Sequence, residues 1–136
     1  MGFEKFGKVT FAPYSKVSAF VDKLKTGVLE GTKCKKCSTL YFPPKSDCPK
    51  CMTGDMDWVP VPSHGKLLTH ITVYAAPTGF DKDAPYTIGV IEFEGGGKLM
   101  AWVEGIPEAE LKLGMDMKVL PKQLPEDRIT YVLNKA

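Results

Sequence analysis

Four cysteines fall in two C-x-x-C pairs, Cys34-Lys35-Lys36-Cys37 and Cys48-Pro49-Lys50-Cys51, with ten residues between the pairs. A C-x-x-C turn aims both of its sulfurs at one point, and two such turns facing each other supply a tetrahedral set of thiolates. A redox dithiol needs only one pair, with one thiolate exposed at a helix start. No strand pattern before either pair suggests that setting. In a reducing compartment four cysteines bind metal more often than they form disulfides. The spacing predicts that Cys34, Cys37, Cys48 and Cys51 ligate one ion in a closed, structural site. Four protein ligands leave no position for water, so metal-assisted hydrolysis is not expected.

Four thiolates in a tetrahedron suit zinc, or iron of the rubredoxin kind. Iron–sulfur turns usually place glycine after the second cysteine, where a bare backbone lets N–H groups approach the sulfur. This chain carries Ser38 and Met52 at those positions, which favours zinc. Lys33, Lys35, Lys36, Lys45 and Lys50 crowd the pairs, and their charge offsets the excess negative charge of a four-thiolate complex.

Nothing else in the chain forms a catalytic constellation, so no catalytic residue is assigned. His64 and His70 are the only imidazoles. Neither stands at ligand spacing from a cysteine pair, and a strand or loop histidine is the better reading of both. Gly95-Gly96-Gly97 lacks the strand-to-helix setting of a phosphate loop and reads as a turn. Trp58, Trp102 and Tyr131 could stack on bases, but few cations interleave with them and barrel core is the better explanation. Tyr41 and Phe42 are expected to pack the cysteine-rich segment onto its neighbours. Phe80, at the tip of residues 76–85, either inserts into a partner or folds back on the barrel. The lysines near the cysteines either meet the phosphates of a ligand or only balance the thiolates.

The frame that must position these residues is small. The chain has 136 residues with 43% hydrophobic and 25% charged residues, enough for one folded core with a small appended module. No apolar run approaches the ~20 residues of a membrane span, and the start has no signal-peptide pattern. A soluble cytoplasmic protein with no membrane association is expected. Net charge is +2, with +4 in residues 1–60, −2 in residues 61–136, and a single arginine, Arg128. That profile disfavours nucleic-acid binding, which relies on neutralising phosphates.

Three stretches differ in pattern. In residues 1–30, Phe3, Phe6, Phe11 and Tyr14 form an ordered arm, followed by Val17, Phe20, Val21 and Leu24 at helical spacing. Ser15 caps and Gly27 stops a helix predicted over 15–26. Residues 31–60 hold the cysteines and too few aliphatics to fold without a metal. Residues 61–136 read as β structure. Strands are predicted at 66–76 (Leu67, Thr69, Ile71 and Val73 on one side), 86–93, 98–104, 116–120 and 128–133. A short helix from Pro107 to Gly114 sits between the third and fourth. The order strand, strand, strand, helix, strand, strand is that of the five-stranded OB-fold barrel.

The run Cys34-x-x-Cys37, Phe42-Pro43-Pro44-Lys45 and Cys48-Pro49-x-Cys51, with Leu24 to Gly31 before it and Gly65, Pro85-Tyr86 and Leu113-Gly114-Met115 after it, resembles the zinc-ribbon/OB-fold proteins associated with acyl-CoA enzymes. The resemblance implies a mainly β fold: an N-terminal helix, a rubredoxin-like zinc ribbon and an OB-fold barrel. It implies one structural Zn2+ and a non-catalytic accessory role in a hetero-oligomer with a thiolase-like acyl-CoA subunit, with a CoA thioester at the partner interface. The competing expectation is a zinc-ribbon/OB module that binds nucleic acid.

Overall fold

The computed structural model describes residues 3–10, 14–94 and 97–136. Phe11, Gly95 and Gly96, to which the sequence assigns places in the arm and in a turn, lie outside the described residues.

Helix α1 spans Ala19–Lys25, shorter than its apolar spacing predicts. Ser15 and Ser18 take over the first turn: the Ser18 hydroxyl donates to the Ser15 carbonyl and accepts from the Ser15 N–H, both at 2.8 Å. The backbone there closes by i→i+3 bonds, Ser18 to Ser15 and Phe20 to Val17, before α-helical pairing begins. Gly27, at φ 84°, ends the helix. Its N–H donates to Leu24 while Val28 donates to Lys23, the double bond of a Schellman stop. Phe20, Val21 and Leu24 are buried.

The next segment forms a three-stranded antiparallel sheet in the order β2-β1-β3, with β1 at Glu30–Cys34, β2 at Leu40–Tyr41 and β3 at Met56–Pro60. Trp58 stands on β3 of this sheet and packs from there against the common core, with the Lys23 ammonium 5.4 Å from its ring centre.

The remaining strands are β4 (His64–Val73), β5 (Tyr86–Phe93), β6 (Lys98–Val103), β7 (Asp116–Leu124) and β8 (Arg128–Lys135). They close a barrel in the order β4-β5-β6-β8-β7, the five-stranded OB-fold architecture. Strand β7 runs past Pro121, which pairs with Tyr131. A proline lacks the N–H that a strand pattern relies on, so the sequence pattern ends this strand at Leu120. The segment after Pro107 makes only one 3-10 turn, Glu108–Glu110, because Leu111 turns back to extended backbone (ψ 127°) to bury its side chain.

The sharpest departure is in β4. Leu67 pairs with Ile91 and Thr69 with Val90, so Leu68 is an extra residue in the ladder. An inserted residue flips the following side chains to the opposite face. Leu67 is therefore buried whereas Ile71 is 64% exposed, and the single face predicted for Leu67, Thr69, Ile71 and Val73 does not exist. His70 and Thr72 take the inward register, the Thr72 hydroxyl 3.0 Å from that of Thr87.

One core joins all the parts. Phe42, just after β2, lies 5.8 Å from Phe20 of α1, 6.1 Å from Phe93 of β5 and 5.6 Å from Tyr131 of β8, ring centre to ring centre. Phe6 of the arm adds a contact with Tyr131 at 5.8 Å. The arm packs on this chain's own barrel: the Gly7 N–H donates to Ile129 at 2.8 Å and the Arg128 guanidinium to the Gly7 carbonyl at 2.6 Å. Burial within this aromatic cluster pushes the Tyr131 phenol up to about 12.

Candidate metal centre

The two cysteine turns are built alike. The Ser38 N–H donates to the Cys34 carbonyl at 2.9 Å and the Met52 N–H to the Cys48 carbonyl at 2.8 Å. Each leading cysteine donates its own N–H across the turn, Cys34 to Thr39 at 3.0 Å and Cys48 to Thr53 at 2.8 Å. Ser38 (φ 61°) and Met52 (φ 55°) hold the left-handed conformation that reverses each turn. That conformation costs an L-residue about 1–2 kcal/mol, so the chain keeps the turn shape without the glycines that would ease it.

All four Sγ atoms lie within 4.8 Å of one another, with Cys37 and Cys48 at 3.6 Å. An ion about 2.3 Å from each of four tetrahedral sulfurs requires edges of about 3.8 Å. The cluster fits a zinc-sized ion, and its cysteines are free thiols rather than disulfides. Cys34 and Cys48 are buried, Cys51 is half-buried and Cys37 is exposed.

Three donors flank the sulfurs. The Tyr41 hydroxyl is 3.3 Å from Cys48 Sγ, the Thr39 hydroxyl 3.2 Å from Cys37 Sγ, and the Lys36 N–H donates to Cys34 Sγ at 3.3 Å. The Thr39 hydroxyl pulls the Cys37 thiol down to about 6, and Tyr41 lowers Cys48. The Cys48 sulfur in turn holds the Tyr41 proton up to about 12. Cys51, hydrogen-bonded to Cys37 with Cys34 beside it, is pushed up to about 12. Four sulfurs this close cannot all ionise by themselves, and a divalent cation among them displaces the remaining protons.

Metal retention must therefore depend on pH. Cys51 gives up its proton to the ion while Cys37, held low by Thr39, has little to give up, and protons compete with the ion for the sulfurs increasingly as pH falls. Zinc is expected to stay bound at neutral pH and to be released in acid; Thr39→Val, which removes the donor that lowers Cys37, should move the release to higher pH. A chromophoric chelator followed across a pH series measures both. Tyr41→Phe removes the hydroxyl on Cys48 while keeping the ring. Loss of an outer-shell donor typically weakens metal binding 10–100-fold. About tenfold is expected here, read by competition with a chelator of known affinity.

Sequence reasoning missed Tyr41 and Thr39 as partners of the cluster, giving Tyr41 a packing role and Thr39 none. A hydroxyl residue two positions after Cys37 and a tyrosine two further on were the available signals. Of the lysines expected to balance the thiolates, Lys35 turns to Asp55 (3.1 Å) and Asp57 (3.5 Å), and the Asp55 carboxylate holds its ammonium above the usual range. Lys45 sits 5.1 Å over the Tyr41 ring. Lys33, Lys36 and Lys50 are exposed and form no ion pair among the described residues.

The other candidates lie elsewhere. The His64 ring is 3.0 Å from the Ser63 hydroxyl. His70 points into the barrel, where its Nδ1 is buried without a hydrogen-bond partner among the described residues. Phe80 folds back, 5.9 Å from Trp102 and 6.4 Å from Tyr86. Trp102 is not core: it faces outward, stacked on Tyr86 at 4.2 Å, because Leu99, Ala101 and Val103 take the inward positions of β6. Tyr131, by contrast, is part of the aromatic core.

Comparison with known proteins agrees with this architecture. Residues 21–57 match the family described as ChsH2, rubredoxin-like zinc ribbon domain, and residues 58–120 match ChsH2, C-terminal OB-fold domain. A DUF35 domain-containing scaffold protein of Methanocaldococcus jannaschii is 33% identical over 100 residues, covering 73% of this chain and 71% of that protein. The benzoylsuccinyl-CoA thiolase subunit BbsA of Thauera aromatica is 33% identical over 93 residues, 63% of each chain. In the solved structures, a chain of an Ltp2-ChsH2(DUF35) aldolase superposes with a TM-score of 0.77 at 21% identity, covering 92% of this chain and 98% of that one; at that identity the likeness concerns the fold. The zinc-ribbon and OB-fold matches follow each other along the chain as the ribbon sheet and the barrel do, and the chain belongs to the DUF35 family of zinc-ribbon and OB-fold proteins.

Proposed function

We propose that this chain is a non-catalytic, cytoplasmic accessory subunit of an acyl-CoA thiolase-type complex, supporting its assembly and its CoA-thioester channel. In this reading it divides into an arm and helix (1–30), a zinc ribbon (31–60) and an OB-fold barrel (61–136). Cys34, Cys37, Cys48 and Cys51 hold one structural Zn2+. The observation that carries the reading is the sulfur cluster itself: its four corners are protein thiols, so a tetrahedral ion there is coordinatively filled and supplies rigidity rather than an open Lewis-acid position. What such a rigid module offers is surface. Its kinship with a protein named as a thiolase subunit and with others named as scaffolds supports a role beside an acyl-CoA enzyme.

Purification of the native assembly, with mass spectrometry of the accompanying chains, tests the reading. A thiolase-type subunit is expected at fixed stoichiometry, with loss of activity or of assembly on removal of this chain. A chain that stays alone, beside an enzyme whose activity is unchanged without it, overturns the reading. So does a thioester turned over by the isolated chain.

A further inference from the structure

Burial divides the four cysteines unequally. Each pair leads with a residue shut away from solvent, Cys34 at 1% exposure and Cys48 at 0%, and trails with one nearer the surface. Cys51 is half-buried, and Cys37 is the one cysteine of the set that is exposed. Cys37 follows Lys36, which is exposed and forms no ion pair among the described residues. Cys48 Sγ, on the opposite turn, lies 3.6 Å from Cys37 Sγ. A thiolate open to solvent beside a cation, with a second sulfur within reach, reacts with oxidants and then closes a disulfide. Buried structural cysteines stay inert. Rigidity alone asks for no exposed sulfur, so the exposure of Cys37 has a chemistry of its own.

We propose that Cys37 is an oxidation site for hydroperoxides, and that its modification, resolved by Cys48, releases the metal and loosens the ribbon. The proposal goes beyond the accessory-subunit reading and rests only on the ligand set given there. With hydrogen peroxide, the Cys37 thiolate attacks one oxygen, the O–O bond breaks, and the departing hydroxide takes a proton from solvent. Cys37 is then a sulfenic acid. The Cys48 thiolate attacks the Cys37 sulfur, the S–S bond forms, the S–O bond breaks, and the second hydroxide is protonated in turn. The two sulfurs lose two electrons between them, the peroxide gains both, and two waters result.

Cys34 and Cys51 alone do not make a tetrahedral set, so the ion is lost. Of the strand residues in the β2-β1-β3 sheet only Gly31, Thr32 and Cys34 are buried, and the sheet loses its order with the ion. A thiol reductant reverses the disulfide by exchange, after which zinc rebinds.

The test uses the full-length, zinc-loaded chain, hydrogen peroxide and a chromophoric chelator, with linkages mapped by mass spectrometry without reduction. One zinc released per disulfide is expected, with Cys37 joined to Cys48 and full rebinding after dithiothreitol and zinc. Cys37→His keeps a zinc ligand while removing the attacking sulfur, and should slow release about tenfold or more. Cys51→His spares both reacting sulfurs and should release zinc about as fast as the wild type. Should Cys37→His fail to hold zinc, trapping of sulfenic acid by excess dimedone on the wild-type chain carries the test, with the label expected on Cys37.

A wild-type chain that keeps its zinc under peroxide, gaining oxygen only at exposed methionines such as Met52 and Met100, overturns the proposal and leaves the ligand set standing. So does a first modification at another cysteine, any other disulfide, or release from Cys37→His at the wild-type rate. If the purified chain takes up no zinc before peroxide is added, the ligand set falls and the proposal with it.

Discussion

Cys48→Ser is expected to yield protein with no bound zinc at neutral pH and no ordered ribbon. Cys48 is completely buried, 3.6 Å from Cys37 Sγ, and its backbone pairs with Thr53 to shape the second turn. A serine hydroxyl is a poor replacement for a thiolate on zinc. Structural zinc binding in small domains is worth about 10–16 kcal/mol, as much as the whole stability of a typical domain, about 5–15 kcal/mol. The β2-β1-β3 sheet has little else to hold it: of its strand residues only Gly31, Thr32 and Cys34 are buried. Elemental analysis for zinc, with near-ultraviolet circular dichroism for the packing of Tyr41 and Trp58, reads the outcome. Full zinc content in a folded Cys48→Ser protein would remove these sulfurs from the proposed ligand set.

Phe42→Ala is expected to cost about 3–5 kcal/mol, the range for truncating a buried phenylalanine. The ring contacts Phe20, Phe93 and Tyr131 at once, so its loss opens a void where ribbon, helix and barrel meet. Urea denaturation should show a lower midpoint and a tendency to unfold in two steps, ribbon before barrel, with zinc still bound at the start. A shift below about 1 kcal/mol would mean that the ribbon is held to the barrel by other contacts.

How much the sequence disclosed depended on whether the signal was local. The cysteine pairs stated their own geometry, because a C-x-x-C turn needs nothing outside itself to bring two sulfurs together. The five barrel strands were legible from alternation and from the punctuation of glycine and proline. Leu68 was not, because a bulge is decided by how β4 meets β5 and leaves no mark in the pattern of β4 alone. Trp102 was misplaced inward for a related reason: size and hydrophobicity favour burial, yet the smaller Ala101 and Val103 hold the inward register. Thr39 and Tyr41 escaped notice as partners of the sulfurs because their hydroxyls reach them only once the turns are folded, and the segment that holds them has little periodicity of its own.

The seam between the arm and β8 sets an order of events during synthesis. Phe6 and Gly7 pair with Ile129, over a hundred residues later in the chain. While the ribosome is still extending the chain, Phe6 can pack on Phe3 and Phe20, but the bonds to β8 have no partner yet. The cysteine-rich turns, complete once Cys51 has emerged, can capture an ion well before β8 exists. Long-range contacts of this kind form last and slow the approach to the native state. The metal can therefore be gripped before the seam between the arm and β8 closes. During that interval Phe3 and Phe6 have Phe20 to pack on, but Phe6 lacks the cover of Tyr131.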